Sequence, residues 1–440
     1  MPTTTAQAGS RSSLVPMGVS AVAVMIMLMV GKVSEWVPGL LPIPLVKIAF
    51  LFAAISAYRN RAALAAVRVR SLRIARPAIA FMTLALLSVL FSIYKSQTLI
   101  GSQLILILLL SMTLLLKVTQ TLRDVARLLA GFAWAAASLC VGLLLHYHGG
   151  RAEINENFDP NAIAYALDTA LPIVLALRAR QSRLGRLVVS ALALAMVLSV
   201  LLTGSRGGAI GLGVVAAATL VLPLSYDRNG ALKRFSLARS LVKCAIAIAA
   251  VALAWGLLPE DTQTRMATLV NLQKDYSADA NLKGSRWAIW QRDVGMALKR
   301  PIGYGLGTAE AVDGLGGGQY RAAHNCLVQA FVELGALGLW LYLYTYYTAW
   351  RHLGRIPPHP HSSSGDDGAR TALYARAICV ALAGNLAAGF FLSEAYSPAL
   401  WMLVATAAAL VRISAPAPDR AAAVVPAAAS AQTMIAGVRN

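Results

Sequence analysis

Acidic residues are scarce in this chain: 19 Asp and Glu stand against 39 Lys and Arg in 440 residues. No D-x-D pair falls in the segments read below as outward loops, and Asp275 with Asp279, in a polar stretch, is a poor substitute. A mechanism built on a cation held by paired carboxylates therefore lacks its ligands. Cysteine is nearly absent as well. Cys140, Cys244, Cys326 and Cys379 lie in or beside apolar stretches without C-x-x-C spacing, which excludes a disulfide framework and a zinc site and leaves four small packing residues. Charge of either sign is low at 13%, with 58% hydrophobic residues and a mean hydropathy of +0.63, so the chain falls in the membrane class and no soluble domain is implied. The net charge of +20 is spread over short loops and forms no single basic face, which argues against nucleic acid and for a charged membrane surface.

What the sequence has instead is long apolar runs. A spanning helix needs about 20 apolar residues, because the hydrocarbon core offers no partner to backbone N–H and C=O groups. About twelve runs qualify, near 14–30, 39–58, 77–94, 98–116, 127–147, 161–177, 187–203, 207–225, 241–258, 325–350, 372–392 and 398–413. The sixth is the weakest, since Asp168 and Pro172 interrupt it. One set of alternate loops carries most of the arginine: Arg59 to Arg76, Arg123 and Arg127, Arg178 to Arg186, Arg228 to Lys243, and Arg351 to Arg376. The short loops of the other set hold little more than Lys32, Lys95, Arg151 and Arg206. Cationic loops are retained in the cytoplasm, so both termini are expected there. The first run reads as a span and not a cleaved signal. Residues 1–13 and 414–440 read as solvated tails, and His359 with His361 as part of a flexible linker. The resulting organisation is a tail (1–13), nine spans (14–258), one long outer loop (259–324), three spans (325–413) and a second tail (414–440).

Chemistry is expected in the long loop, because structureless connections beyond about 15 residues are uncommon in compact proteins unless functional or disordered. Ser285 is positioned to cap a helix through Arg286, Trp287, Trp290, Val294 and Leu298, stopped by Pro301, with two tryptophans suited to the headgroup level. Three features share its side of the membrane. Arg206 lies in the tight turn Thr203-Gly204-Ser205-Arg206-Gly207-Gly208, Arg286 opens the loop helix, and His324-Asn325 opens the tenth span with Glu333 further in. Guanidinium groups pair bidentately with phosphate oxygens, and helix N-termini at Gly207 and Asn325 add backbone donors of the same sign. Such a site suits a diphosphate without a metal. A histidine beside these cations tends toward the neutral imidazole, which is a base.

Each feature also has an ordinary explanation: an arginine in an outer turn is commonly a headgroup anchor, and a histidine at a span boundary is commonly a packing residue. Their coincidence on one side favours the site. Arg265 is a further candidate cation. Lys47 and Lys95 approach the anion or snorkel, and Asp159 and Asn161 bind sugar hydroxyls or cap the sixth span.

These pieces resemble the O-antigen ligase and polymerase superfamily of polytopic glycosyltransferases. The resemblance rests on Asp159-Pro160-Asn161, on Thr203 to Gly208, on Ser285-Arg286-Trp287 through Arg300-Pro301-Ile302-Gly303-Tyr304-Gly305-Leu306-Gly307, and on His324-Asn325 followed by Glu333-Leu334-Gly335 and Gly338. It covers roughly residues 155 to 345. It implies an all-α polytopic fold similar to GT-C type glycosyltransferases, of about twelve transmembrane helices with short helices in one periplasmic loop, in the bacterial inner membrane. The donor implied is a glycan on undecaprenyl diphosphate. The acceptor implied is the lipid A-core oligosaccharide for a ligase, or a growing polymer or a protein for other members. Chain length and the single outer loop look most like the ligase. The same resemblance implies an inverting, metal-independent transfer without cofactor, in which Arg206 and Arg286 hold the diphosphate and His324 activates the acceptor hydroxyl. Membrane lipids are the remaining partners, and grooves between spans are expected to take the lipid tails. A transporter or flippase is the rival from another class; it predicts internal repeats and polar residues near the midplane, and no convincing repeat is present.

Overall fold

The computed structural model describes residues 14–37, 39–61, 73–150, 152–154, 159–226, 231–242, 244–245, 255–256, 258–268, 282, 284–357 and 365–415. Residues 1–13 and 416–440 of the expected tails, most of the ninth span, Asp275, Asp279, His359, His361 and residues 155–158 lie outside them. Among the described residues the chain is helical, with no strand beyond one isolated bridge between Tyr226 and Leu232. The elements are α1 (Leu14–Gly31), α2 (Val33–Trp36), α3 (Leu45–Arg59), α4 (Ala75–Leu87), α5 (Lys95–Val118), α6 (Leu122–Leu145), α7 (Pro160–Arg178), α8 (Arg183–Leu202), α9 (Arg206–Val221), α10 (Glu260–Ala267), α11 (Arg286–Lys299), α12 (Ala309–Leu315), α13 (Cys326–Leu353), α14 (Gly365–Gly389) and α15 (Pro398–Ser414). Among the described residues, six helices are long and apolar enough to cross a membrane, and four shorter apolar helices are Met17–Gly31, Ala75–Leu90, Arg206–Val221 and Pro398–Ser414.

Local chemistry sets the helix starts. Thr121 and Asp124 form a capping box at α6, Asp159 caps α7 with Pro160 at its first position, and Ser182, Ser205 and Ser285 cap α8, α9 and α11. Helices α5 and α8 turn rows of large apolar side chains outward, among them Leu99, Ile100, Leu104, Leu184, Leu187 and Leu194, as lipid-facing helices do. Helix α15 is buried along most of its length, and α1 packs on α6 and α3, α14 on α9 and α7, and α13 on α4. Between α7, α13 and α14 the buried Asn385 accepts from Tyr165 Oη at 3.0 Å and Tyr346 Oη at 2.6 Å and donates to Thr169 Oγ1 at 2.8 Å. In a bilayer, where apolar side chains gain little by leaving lipid, such interhelical bonds and close packing hold helices together.

One expected span is broken. The apolar run 325–350 predicts a single helix, but Gly335 has φ 69° and ψ −168°, outside helical geometry. Cys326 and Tyr342 interact side chain to side chain, although along a straight helix they would stand about 24 Å apart. The chain therefore folds back: residues 326–334 form one arm, and 336–353 the segment that crosses the bundle. The segment 301–306 fills the notch. Ala336 N–H donates to Pro301 O at 3.0 Å, while Tyr304 and Gly305 N–H donate to Val332 O and Glu333 O at 2.9 and 2.8 Å. These bonds satisfy groups that the break removes from the helix ladder. The other side of the same segment docks on the end of α4, where Leu306 N–H donates to Ser88 Oγ at 3.0 Å, and on α5, where Thr98 Oγ1 donates to Leu306 O at 2.8 Å.

Candidate functional site

The segment before α13 is built around a buried carboxylate. Asp313, fully buried on α12, accepts from Arg292 Nε and Nη2 at 2.8 and 2.6 Å and from the N–H groups of Gln319 and Arg321 at 2.9 and 3.1 Å. Those bonds fix the turn that leads to His324. From α11, Trp290 Nε1 donates to Ala323 O at 2.6 Å and its ring packs edge-on against Phe390. The sequence placed both tryptophans at the headgroup level; Trp287 is about half exposed, whereas Trp290 turns inward to brace the histidine segment.

His324 occupies the left-handed region with φ 47°. A non-glycine residue there needs support from its surroundings. Its N–H donates to Ser393 Oγ at 2.9 Å, in the turn between α14 and α15. The same turn holds the following residues: Cys326 Sγ donates to Leu392 O, Glu394 N–H donates to Cys326 Sγ, and Ala395 N–H donates to Gln329 Oε1.

Burial first, and then the Arg286 guanidinium, hold the His324 imidazole below its ordinary value; Arg321 pushes in the same direction and Asp159 opposes. Arg286, Arg321 and Asp159 therefore all lie within electrostatic reach of one ring. The ring is half-buried and favours the neutral, basic form near pH 7.

Arg206 reaches the same end of the bundle by a different route. Its Nη1 donates to Thr268 Oγ1 at 3.0 Å, and Thr268 Oγ1 donates in turn to the Arg265 carbonyl at 2.7 Å. Next to it, Gly207 abuts Phe391, so close that a Cβ there would lie 2.7 Å from the phenylalanine Cβ. Gly207, next to Arg206, and His324 thus both contact the 390–394 turn. Arg206 is not among the groups acting on the imidazole.

Residues 191–343 match the O-Antigen ligase family. This supports membership of the O-antigen ligase superfamily, whose members are glycosyltransferase-like ligases and polymerases. The match runs from α8 into α13 and includes Arg206, Arg286 and His324. No curated protein matches the chain.

The lesser candidates separate. Asn325 is buried, and its Oδ1 caps α13 by accepting from Leu327 and Val328 N–H at 2.9 and 3.2 Å. Asp159 caps α7 through Asn161, accepting from its N–H and Nδ2 at 2.9 and 2.7 Å, yet it also bears on His324 and Glu394. Arg265 is exposed on α10. Lys47 on α3 and Lys95 at the start of α5 are exposed and are not among the groups acting on His324. Glu333 is buried in the first arm of α13, close to the amides of Gly307 and Ala309 and to Tyr396.

Three residues absent from the sequence reading, Arg321, Ser393 and Glu394, join the site. Glu394 lies two positions past the end of the eleventh apolar run, and burial pushes its carboxyl up against the opposing pull of the Lys32 ammonium. Arg321 stands three residues before His324. An acid in a chain this poor in acids, at a span boundary, was the available signal for Glu394. Lys32, Glu394 and Ser393 are among the polar residues lining a cavity of about 530 Å³, whose apolar lining includes Leu28, Val46, Leu104, Ile107, Leu139 and Ile163 from α1, α3, α5, α6 and α7. Ser393, which lines this cavity, accepts the His324 N–H, so the cavity adjoins the histidine segment.

Proposed function

We propose that this chain is an O-antigen ligase, transferring O-antigen polysaccharide from undecaprenyl diphosphate to the lipid A-core oligosaccharide on the periplasmic face of the bacterial inner membrane. The observation that carries the reading is the half-buried His324 ring held beside Arg286, in a strained backbone position fixed by Ser393.

In this mechanism Arg286 and Arg206 pair with the diphosphate and Arg321 adds positive charge. The acceptor hydroxyl oxygen attacks the anomeric carbon from the face opposite the diphosphate, and its proton passes to the His324 imidazole. The bond from the anomeric carbon to the phosphate oxygen breaks, and the electron pair leaves with the diphosphate. A single displacement inverts the anomeric centre. Held charge makes the diphosphate a good leaving group, and a positioned base is worth roughly 10²- to 10⁴-fold. Guanidinium groups take the place that a divalent cation fills in other phosphoryl sites, so the reaction is metal-independent. The apolar cavity beside His324 receives lipid chains.

The test is transfer by the purified protein. Lipid-linked glycan and lipid A-core should give acceptor-dependent release of undecaprenyl diphosphate, unchanged by a chelator. In cells, deletion should remove all polymer from lipid A-core while long chains persist on the carrier. Single repeat units on the core would identify a polymerase instead, and lipid movement without a new glycosidic bond would identify a flippase.

A further inference from the structure

Helices α4 and α13 enclose a second cavity at the end of the bundle away from His324. Helix α13 leaves its break at Gly335 beside the histidine arm, and residues 336–353 carry it about 27 Å to Leu353. Helix α4 runs the other way, ending in the turn at Ser88 that holds Leu306. Where α4 begins and α13 ends, a cavity of about 460 Å³ is lined by Arg73, Arg76, Arg351, His352 and Arg355, and no carboxylate is among the described residues that line it.

The basic cavity continues into an apolar trench of about 640 Å³ between the same helices, past Ile79, Leu84, Leu87 and Leu337. Arg76, Ala80 and Leu341 line both. The trench wall is open, with Leu337 54% and Leu87 52% exposed. At its basic end, Trp340 stacks on Tyr344 with centroids 4.9 Å apart, Tyr344 stacks on Tyr347, and Arg351 donates to Tyr347 Oη at 3.0 Å. An aromatic row ending in cations marks the depth where hydrocarbon meets headgroups.

The guanidinium groups of Arg73, Arg351 and Arg355 around one cavity repel each other, and an anion among them relieves that repulsion. Phosphate is the anion that matches their forked geometry. The trench leading from it along the membrane normal has room for a hydrocarbon chain, which free phosphate lacks. We propose that this cavity and trench bind one anionic glycerophospholipid of the leaflet opposite the His324 cluster. Its phosphate sits among Arg73, Arg76, Arg351 and Arg355, and one acyl chain lies between α4 and α13. A zwitterionic lipid brings an ammonium into the same cationic cavity and is disfavoured. Because the lipid packs on the crossing part of α13, its binding stabilises the helix that supports the histidine arm. The site is separate from the transfer chemistry and stands or falls independently of it.

The experiment uses the full chain in an uncharged detergent. Thermal unfolding is followed with phosphatidylglycerol, phosphatidylcholine or inorganic phosphate at equal phosphate concentration, and bound lipid is counted by native mass spectrometry. Phosphatidylglycerol alone should raise the midpoint and leave one retained lipid. The triple variant Arg73→Gln/Arg351→Gln/Arg355→Gln should bind roughly 10²-fold more weakly, the loss expected for three interfacial arginines. Leu337→Trp fills the trench without altering charge and should also release the lipid, which keeps the test decisive if the triple variant does not fold. Arg286→Gln should retain it. Equal stabilisation by phosphatidylcholine or by inorganic phosphate, or lipid retained in Leu337→Trp, overturns the proposal.

Discussion

Pro301 and Gly335 are in backbone contact: a Cβ on Gly335 would lie far inside van der Waals contact distance of the Pro301 carbonyl oxygen. This contact joins the Gly-rich loop segment to the break in α13, and Gly335 also holds a φ of 69°. Gly335→Ala should therefore fail twice, by strain of about 1–3 kcal/mol and by displacing residues 301–305. A markedly lower unfolding midpoint in detergent, together with loss of transfer, is the expected result. A variant as stable as the parent would show that the loop does not need the notch.

Asp313→Ala should free the loop. The substitution takes the Asp313 carboxylate from Arg292, whose side chain is 17% exposed, and strips the N–H groups of Gln319 and Arg321 of their acceptor. Breaking such a pair costs about 3–5 kcal/mol. New protease cleavage within 284–324, in a protein that still inserts in the membrane, should accompany loss of transfer. Asp313→Asn keeps an acceptor oxygen and should lose less.

Asp293 gives a pH signature that transfer does not enter. It is fully buried on α11, neither carboxylate oxygen has a hydrogen-bond partner among the described residues, and burial followed by the nearby Asp313 pushes it up to about 8. A folded value above the ordinary ~4 of an aspartate means that the folded chain holds a proton the unfolded chain has released. Its contribution is thus intact below pH ~4 and is lost as pH rises toward 8. Asp293→Asn removes that loss. Its unfolding midpoint should exceed the parent's at pH 8, and the difference should shrink at pH 5. A constant difference at both pH values would rule out titration of Asp293.

The helices were legible because a bilayer leaves little choice: apolar runs near 20 residues must close their own hydrogen bonds. Eleven of the twelve expected runs carry a helix, and for the ninth most residues lie outside those described. Loop parity grouped Arg206, Arg286 and His324 on one side, and in the structure His324 bonds Ser393 while Gly207, next to Arg206, abuts Phe391 of the same turn; parity by itself does not measure such separations. The break at Gly335 was not legible, since one glycine in the apolar run 325–350 leaves the hydropathy unchanged. Only its pairing with Pro301, which is far off in sequence, makes it visible. Glu394 was hidden for a similar reason: it sits in a turn of few residues and reaches the site because Ser393 and Cys326 tie that turn to His324. Lys47 and Lys95 show the converse, as depth near a span end did not bring them to the ring.

The electrostatics of His324 yield the most specific prediction. Its neutral form is the base, so the rate of transfer should fall as pH drops through its value, which burial, Arg286 and Arg321 hold below the ordinary ~6.5 of an imidazole. The acid limb of the pH–rate profile should therefore have its midpoint below pH ~6.5. Removing a neighbouring cation raises that midpoint, and removing the carboxylate that opposes it lowers it. In the residual activity of Arg286→Gln the limb should move to higher pH, whereas in Asp159→Asn it should move to lower pH. His324→Ala should abolish the limb together with nearly all turnover. A purely structural Arg286 would leave the midpoint where it was, and shifts of the same sign in Arg286→Gln and Asp159→Asn would mean that the titrating base is some other group.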